Sequence, residues 1–484
     1  MAQFLENLLS VAGVPSRTDK AVRVAVLADS DTRWKWGALT ARRIAPDTAR
    51  LTGFLLRGRA TPTVRQLAEV GVPADELREV TGQQFLRTIA EGEDGSEAGG
   101  GDGSEAGGEG RGGGASGGGG EEGPGAYDVV VLALVGGAVQ AMLHGLAALK
   151  LRRRPVVVTG YVGVVYEKLC DGLLLRHGCD MVLANSRYDA RRFREVYEGV
   201  GTDPSAVTEA ALPFLGGAPY RPRTGRDTLV FAAQPSVPAT RADRLYLLRR
   251  LVEHARFHPG REVLLKLRSK PGEHTTHIEE LPYQSLTERL PGRLPPNFSL
   301  VYGNMGEVLD RTDLLVTVSS TAALESLHRG IPTAILTDLG VREVLGNHHF
   351  IGSGLLTSFD RLDGGHRPVP EPGWTADQGV AADGTYDTAF DPARERLAGL
   401  LAGRAELPPV TPYYTPTSAP GYLPPLLARH HLAADGTPLA AGAGREPNAR
   451  VRRAMRVAVR GVARGAYRHG VQRVAPVIRR MGQL

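Results

Sequence analysis

The chain has 484 residues, a net charge of +6 and a 42% apolar content, which is ordinary for a soluble globular protein. This length accommodates two large domains and additional segments. Two cysteines, Cys170 and Cys179, exclude a disulfide scaffold and a four-cysteine zinc site. We find no signal peptide and no run of about 18 uncharged apolar residues, so we expect a cytoplasmic protein without a membrane span.

The first half of the chain alternates short apolar runs with amphipathic segments. Strands are expected at residues 22–29, 51–56, 127–134, 155–159 and 181–185. Helices are expected at residues 34–44, 63–70, 138–149, 165–175 and 187–197. Such alternation is typical of a doubly wound parallel sheet.

Residues 91–125 interrupt this alternation with Gly, Glu, Asp, Ser and Ala. The segment has a net charge of −8, from nine acidic residues and one arginine. It has too little apolar surface to form a core, so we expect a disordered insertion within the first domain.

A Gly- and Pro-rich break at residues 215–225 precedes a second series of strands and helices. Its strands are expected at residues 228–233, 262–267, 298–302, 314–318 and in a run that ends at Leu336. Two such series predict two Rossmann-like, doubly wound α/β domains that face a cleft. The predicted domains are residues 1–220 and 221–401, and residues 402–484 form a proline-rich crossover and a basic helical tail.

The tail contains eleven arginines from Arg445 onward and one acidic residue, Glu446. An arginine-rich amphipathic helix can lie on an anionic membrane, so we expect peripheral association with the inner face of the membrane. Nucleic acid is not an expected partner, because Tyr467 is the only aromatic residue there. The alternative is a solvated helix that packs over the other domain.

Residues 314–336 predict a buried strand, a hydroxyl-rich turn, a helix and a second strand. Ser319, Ser320 and Thr321 form the turn, at the carboxyl end of a parallel strand, where open α/β sheets bind ligands. Their hydroxyls and the first helical N–H groups suit a phosphate. Glu325 lies one turn later, where its carboxylate can accept bonds from ribose hydroxyls. A capping box that involves Glu325 is the structural alternative.

Lys266 and Arg268 follow another predicted strand of the second series. Two fixed cations at that edge would neutralise a diphosphate or a leaving phosphate. Glu273 and His277 follow four residues apart, and His277 is a candidate acid near neutral pH. A solvated basic loop is the alternative.

The segment after the first strand combines Asp29 and Asp31 with Trp34 and Trp36. A pair of carboxylates can deprotonate an acceptor hydroxyl, and tryptophan faces are surfaces on which sugars stack. Alternatively, one aspartate caps the next helix and a tryptophan packs in the core. Tyr161 follows another strand and is a further candidate for acceptor binding.

We find no Walker-type phosphate loop and no strand-linked G-x-G-x-x-G. His348 and His349 are adjacent, so they cannot share a helix face, and no metal site is expected.

Three segments, residues 28–37, 266–268 and 318–325, resemble a bacterial family of glycosyltransferases of the GT-B type. The resemblance spans residues 22–356 without the insertion. The last two segments are similar to elements of polysialyltransferases and of the CDP-glycerol transferases of teichoic acid synthesis. Those enzymes keep a Ser-Ser or Ser-Thr pair on the donor phosphate and a His-Pro pair after a middle strand. Arg268 and Ser269 stand where His-Pro is expected, which leaves His274 or His277 as substitutes.

The resemblance implies transfer of a sugar from a nucleotide-sugar donor, such as a CMP-linked sugar, without a metal or another cofactor. The implied acceptor is a cell-envelope glycan, polysaccharide or polyol phosphate. In this interpretation, Asp29 or Asp31 is the base, and Lys266, Arg268 and the Ser-Ser-Thr turn bind the donor. The alternatives are a nucleotide-sugar epimerase of the same fold and a non-catalytic scaffold for envelope assembly.

Overall fold

The computed structural model describes residues 21–58, 60–97, 126–164, 169–223, 225, 227–270, 273, 279, 281–380 and 385–439. Within them the chain forms two parallel β-sheets in one compact unit that extends to Thr437. Helices connect most successive strands. The predicted fold class, with two doubly wound parallel sheets, is therefore confirmed.

The first sheet lies in the amino-terminal half of the chain. In the described residues its strands are β1 (Arg23–Ala28), β2 (Arg50–Leu56), β3 (Glu76–Val80), β4 (Val129–Ala133), β5 (Val156–Gly160), β6 (Met181–Ala184) and β7 (Val207–Glu209). Its helices are α1 (Asp31–Ile44), α2 (Val64–Val70), α3 (Gly82–Glu97), α4 (Gly136–Leu149), α5 (Leu169–Leu174) and α6 (Arg187–Gly199). The strand order is β3-β2-β1-β4-β5-β6-β7, and all pairings are parallel.

The second sheet follows the Gly- and Pro-rich break. Its strands in the described residues are β8 (Thr228–Ala232), β9 (Glu262–Lys266), β10 (Phe298–Val301), β11 (Leu314–Thr317), β12 (Thr333–Leu336) and β13 (Leu356–Thr357). Its helices are α7 (Arg241–Phe257), α8 (Tyr283–Thr287), α9 (Met305–Leu309), α10 (Ala322–His328) and α11 (Phe359–Asp363). The order is β10-β9-β8-β11-β12-β13, again with parallel pairings.

Each sheet has one point at which the direction of winding reverses. In the first sheet it lies between β1 and β4, and in the second between β8 and β11. The loops that leave two such strands diverge to opposite sides and open a crevice at the carboxyl edge, where ligands bind. The topology therefore places one candidate crevice on each sheet.

Hydroxyl side chains cap two of the helices that follow strands at these edges. Ser30 caps α1 by accepting a hydrogen bond from the Arg33 N–H at 3.5 Å, and Thr240 caps α7 in the same way. The sequence proposed that Asp29 or Asp31 caps α1, and this was wrong, because Ser30 holds that position. Such caps satisfy backbone N–H groups at the helix starts and so stabilise the local backbone there.

After the second sheet the chain returns to the first one through α12 (Pro372–Asp377), α13 (Asp391–Ala402) and α14 (Leu423–Ala428). The Tyr386 hydroxyl donates to the Leu212 carbonyl at 2.6 Å, and Phe390 belongs to the same core cluster as α1. The sequence analysis placed the start of this return at residue 402. In the structure the return begins earlier, before residue 390. Composition alone did not reveal this, because α13 reads like another helix of the second series.

The prediction omitted β3, α3 and the short strand β7 in the first half of the chain, and α8, β13 and α11 to α14 in the second half. Helix α3 runs to Glu97 and so includes the first residues of the predicted insertion at 91–125. Residues 98–125 and 440–484 lie outside the described residues, so the disordered insertion and the basic helical tail stay predictions. In the described part of the chain, we find no helix that is long and apolar enough to cross a membrane.

Candidate functional site

A cleft of about 1010 Å³ lies between the two sheets. Its walls are the loops at the carboxyl ends of β1, β4 and β5 on one side and of β8, β9, β10, β11 and β12 on the other. Of the described residues that line it, five are cationic and five are acidic, so their formal charges balance. An anion site must therefore arise from where individual charges lie and how they are paired.

The hydroxyl-rich turn after β11 lines this cleft, as predicted. The Ser319 hydroxyl is committed to the protein, because it donates to the Leu345 carbonyl at 2.5 Å. The Ser320 hydroxyl oxygen accepts from the Ala322 N–H at 3.3 Å, and Thr321 has no side-chain capping bond. Among the described residues, neither Ser320 nor Thr321 donates its hydroxyl proton to a protein acceptor. Those two protons are available to a ligand.

Lys266 ends β9 and also lines the cleft. It is 9% exposed, and its ammonium group donates to the Leu267 carbonyl at 2.8 Å. It forms no salt bridge with a described residue. Burial lowers the pKa of Lys266 to about 8, partly opposed by the charges of Glu69 and Glu325. An anion in the cleft would supply the counter-charge that this lysine lacks.

Glu325 lies on α10 and faces the first sheet. Its carboxylate is 3.9 Å from the Lys35 ammonium group of α1, and Lys35 also lies 4.8 Å from the ring centre of Phe214. Burial raises the pKa of Glu325, and the charge of Lys35 partly opposes that shift. The capping box that the sequence left open is not formed. A carboxylate in this place remains able to accept bonds from ribose hydroxyls.

Arg268 and Asp31 meet across the cleft. The Arg268 guanidinium donates to the Asp31 carboxylate at 2.8 Å and also to the Thr32 hydroxyl. Their side chains are 28% and 15% exposed, so the pair is only partly desolvated. The structure thus joins a predicted donor-binding cation to a predicted base.

Asp29 is fully engaged by the first sheet. One carboxylate oxygen accepts from the Arg33 guanidinium and the other from the Val135 N–H, each at 3.0 Å. Because Val135 follows β4, Asp29 ties together the two loops at the reversal point of that sheet. Of the two predicted bases, Asp31 lines the cleft and Asp29 does not.

Glu273 is bonded to Arg65 of α2, a residue of the first sheet. It also accepts from the Lys270 N–H at 2.8 Å, and it does not line the cleft. This contact links the two sheets instead of contributing to a donor site. His274 and His277 lie outside the described residues, so the role of His277 as an acid stays a prediction.

Trp34 and Trp36 are core residues, so their predicted role in stacking on an acceptor is wrong. Their exposures are 1% and 0%, and the Trp36 indole N–H donates to the Asn185 side chain at 3.3 Å. Glycines on neighbouring strands make room for both rings: a Cβ at Gly160 would lie 2.6 Å from Trp36, and one at Gly53 would lie 2.6 Å from Trp34.

Replacing Trp36 with alanine should therefore damage the fold. We expect the free energy of unfolding to fall by about 3–5 kcal/mol, because the change empties a packed site and leaves Asn185 without this partner. Denaturant unfolding followed by circular dichroism measures the loss. Phenylalanine at position 36 fills most of the space and should cost less. A Trp36→Ala protein of unchanged stability would contradict the burial.

Tyr161 lines the cleft, as predicted for an acceptor-binding residue. The Arg176 guanidinium lies 4.0 Å from the centre of its ring, and burial raises the pKa of the Tyr161 hydroxyl. Arg176 is itself held by the carbonyls of Gly160 and Gly172. The Tyr161 ring therefore forms part of a stable wall on the first-sheet side.

Gly163 and Thr321 bring the two walls into contact. A Cβ at Gly163 would lie 2.7 Å from the Thr321 hydroxyl oxygen, which belongs to the opposite sheet. Any side chain at position 163 must push the walls apart or rotate Thr321.

We expect Gly163→Ala to lower the free energy of unfolding by about 1 kcal/mol, the effect of overpacking at a contact that can partly relax. Denaturant unfolding measures this change. Adding Thr321→Ala to the same chain removes the clash with the Thr321 hydroxyl oxygen and should restore much of the lost stability. If the double variant is no better than Gly163→Ala, the contact is not the cause.

Sequence reasoning missed several residues that line the cleft, among them Lys35, Glu69, Arg176 and Gln234. Of these, Gln234 had a usable signal, because it follows β8 by two residues, at a strand end. The others lie within helices or after them, and only the fold brings them to the cleft.

Within the described residues, one group of side chains has the donor atoms for a metal ion: His254, His258 and Asp363. It does not line the cleft. Arg261 donates to the His254 ring at 2.9 Å, and Arg250 pairs with Asp363 at 2.7 Å. These two guanidinium groups oppose a cation there, and the contacts describe a hydrogen-bonded network that joins α7 to α11.

The arrangement of two Rossmann-like sheets around a cleft is the GT-B architecture, as expected. Solved structures of similar shape include a UDP-glucosyltransferase from Polygonum tinctorium, with 12% identity, 80% of this chain and 95% of that chain covered, and a TM-score of 0.43. The UDP-GlcNAc 2-epimerase from Neisseria meningitidis, bound to UDP-GlcNAc, has 11% identity, 79% and 100% coverage, and a TM-score of 0.44. A glycotransferase of kitacinnamycin has 12% identity, 80% and 97% coverage, and a TM-score of 0.40.

No curated protein matches the chain in sequence. A family model described as "Putative glycosyltransferase (DUF6716)" matches residues 24–94 and 124–398, which is well over half of the chain. The matched residues include the strand-end loops that form the cleft. The chain therefore belongs to this glycosyltransferase family.

Proposed function

We propose that the protein transfers a sugar from a nucleotide-sugar donor to an acceptor hydroxyl within the cleft. The observation that carries the proposal is the second-sheet wall, where Lys266 has no salt bridge among the described residues. In the same wall, Ser320 and Thr321 have hydroxyl protons that no described residue accepts. These groups match a phosphate that gains charge as the sugar departs.

The donor nucleotide lies against the second sheet in this proposal. Its phosphate contacts Lys266, Ser320 and Thr321, and its ribose hydroxyls donate to the buried carboxylate of Glu325. A charged lysine that is already desolvated stabilises the departing phosphate without reorganising, which is the effective form of electrostatic catalysis.

The acceptor lies against the first sheet, between Asp31 and Tyr161, which both line that wall. Asp31 takes the proton of the attacking hydroxyl once its carboxylate has left Arg268. Gly163 and Thr321 bring the two walls into contact, and a contact of this kind would help to keep water from the donor.

The finer assignments also belong to this proposal. A CMP-linked sugar is the donor to test first, and a cell-envelope glycan or polyol phosphate the acceptor, because segments 266–268 and 318–325 are similar to those of enzymes with such substrates. No metal is needed in this scheme, since Lys266 and the neighbouring donors supply the positive charge.

The test combines binding and turnover. The purified protein is titrated calorimetrically with CMP, CDP, UDP and GDP, and then incubated with the matching nucleotide sugars, with and without a glycan primer, in EDTA and in magnesium. We expect one nucleotide to bind and its sugar to be transferred only when primer is present, equally in both buffers. Conversion of the donor without primer would indicate an epimerase, and no nucleotide binding would indicate a scaffold. Activity that needs magnesium would contradict the metal-free scheme.

A further inference from the structure

Gln234 occupies the reversal point of the second sheet. It follows β8, the strand that lies between β9, which carries Lys266, and β11, which leads to Ser319. It is half-buried and lines the cleft. The position is the one from which a side chain reaches the centre of the crevice on that sheet.

The orientation of the Gln234 amide is fixed by its neighbours. The Ser319 N–H donates to the Gln234 side chain at 3.1 Å, and the Ser319 hydroxyl lies 3.2 Å from the same atom. A backbone N–H can only donate, so the atom that faces it must be the carbonyl oxygen of the amide. The NH₂ group of Gln234 must then point away from Ser319.

The backbone at this position is also held in place. The buried guanidinium of Arg244, on α7, donates to the carbonyls of Gln234 at 3.4 Å, Pro235 at 3.0 Å and Pro238 at 3.3 Å. A loop that is anchored by three such bonds presents its side chain in one place, which limits the entropy lost when a ligand binds.

The Gln234 NH₂ group has no hydrogen-bond acceptor among the described residues. A donor that is half-buried and oriented, but unused, is costly to keep unless it faces water or a ligand. Asp29, which follows β1 at the reversal point of the first sheet, has both carboxylate oxygens bonded within the protein. Among the described residues, Gln234 in contrast offers an unused, directed donor at the reversal point of the second sheet.

We propose that the Gln234 NH₂ group donates a hydrogen bond to a phosphate oxygen of the donor nucleotide, between Lys266 and the Ser320 hydroxyl. This assignment rests on the proposed function. Gln234 carries no formal charge, so its role is to orient the phosphate and not to neutralise it. Its hydrogen bond fixes the rotation of the phosphate group, whose charge Lys266 neutralises. Ser319 then acts as a positioning residue, because it orients Gln234 and does not touch the donor.

The substitution Gln234→Glu separates this role from a structural one. Glutamate keeps the size of the side chain and an oxygen to accept the bonds from Ser319, but it replaces the NH₂ donor with a negatively charged oxygen. We expect nucleotide affinity to fall about a hundredfold, since a hydrogen bond to a charged group is lost and a repulsion is added. Gln234→Met removes the donor without adding charge and should cost about tenfold.

The control is Val344→Glu, which places a carboxylate on the exposed rim of the same cleft. Calorimetry with CMP, CDP, UDP and GDP measures the affinity of each variant, and inorganic pyrophosphate is used as a competitor that carries no base or ribose. We expect Val344→Glu to bind nearly as the unmodified protein does, and Gln234→Glu to weaken nucleotide and pyrophosphate by a similar factor. Thermal unfolding should be unchanged in Gln234→Glu.

Three outcomes would overturn the assignment. If the unmodified protein binds none of the four nucleotides, the proposed function fails and this role fails with it. If the unmodified protein binds and Gln234→Glu binds equally well, only the role of Gln234 fails. If Gln234→Glu weakens the nucleotide but not pyrophosphate, the amide faces the base or ribose instead of the phosphate.

Discussion

Replacing Lys266 with methionine should weaken nucleotide binding about a hundredfold, and turnover should fall at least as much. The side chain is 9% exposed and has no salt bridge among the described residues, so a bound phosphate is its natural counter-ion. Removing one member of a desolvated charge pair typically costs about 2–5 kcal/mol, because the other charge is left buried and unpaired. Methionine preserves most of the apolar stem, so the fold should be retained.

The pH dependence gives this prediction a distinctive signature. The pKa of Lys266 is lowered to about 8 by burial, so the ammonium form predominates below pH 8 and disappears above it. Nucleotide affinity of the unmodified protein should therefore fall as the pH rises through 8, and this dependence should be absent in Lys266→Met. A bound phosphate favours the charged form and raises the pKa, so binding near pH 8.5 should be accompanied by proton uptake.

Calorimetry in two buffers of different ionisation enthalpy measures that proton uptake directly. Lys270→Met is the matched control, because Lys270 is exposed, is four residues away and does not line the cleft. Equal affinities for Lys266→Met and the unmodified protein would remove Lys266 from the donor site. A loss of affinity without any change in proton uptake would mean that its charge is not what binds the phosphate.

Sequence reasoning located the cleft because buried parallel strands have a recognisable apolar pattern in the sequence. The runs at β1, β9 and β11 have apolar centres, and polar residues stand at or just after the carboxyl end of each. Ligands bind at that edge in open sheets, so the ends of these strands were the right places to look. Lys266, Ser320 and Thr321 follow from this rule alone, without any knowledge of the tertiary contacts.

Other features depend on distant partners that a single sequence does not reveal. Tryptophans after a strand suit both sugar stacking and a core, and the core prevails here because Gly53 and Gly160 vacate the space that the rings fill. The partner of Arg268 is 237 residues away in the chain. Gln234 has an ordinary sequence context, and its importance appears only when Ser319 is seen to orient it.

These contacts also explain why the sequence gives the number of charged residues but does not show which of them are free to bind a ligand. Arg33 and Arg268 each have an aspartate partner, whereas Lys266 does not. The equal numbers of cations and acids are therefore paired unevenly. Among the described residues that line the cleft, Lys266 and Arg176 lack an acidic partner, and Lys266 lies in the same wall as the two unused hydroxyl protons. The site depends on which charges are already satisfied within the fold.

Replacing Asp31 with asparagine should lower the turnover number without weakening nucleotide binding. Asp31 is the cleft-lining member of the predicted base pair, and general-base catalysis typically contributes about 10²–10⁴-fold, so we expect kcat to fall by about that factor. Nucleotide affinity should instead rise severalfold, because the negative charge of Asp31 no longer competes with the phosphate for Arg268 at 2.8 Å. The pair is partly exposed, which keeps the expected gain small.

A rise in nucleotide affinity together with a fall in kcat cannot come from damage to the fold, because such damage lowers affinity and turnover together. Asp47→Asn is the matched control: it removes a carboxylate from an exposed loop after α1 and should change neither quantity. Steady-state kinetics and calorimetric titration on the same preparations measure both.

If affinity and turnover fall together, Asp31 only holds the walls of the cleft in place through Arg268. If kcat survives, the base lies elsewhere on the first sheet. If kcat falls and affinity rises, donor binding and release of the base are one event, in which the phosphate takes Arg268 and frees Asp31 for the acceptor.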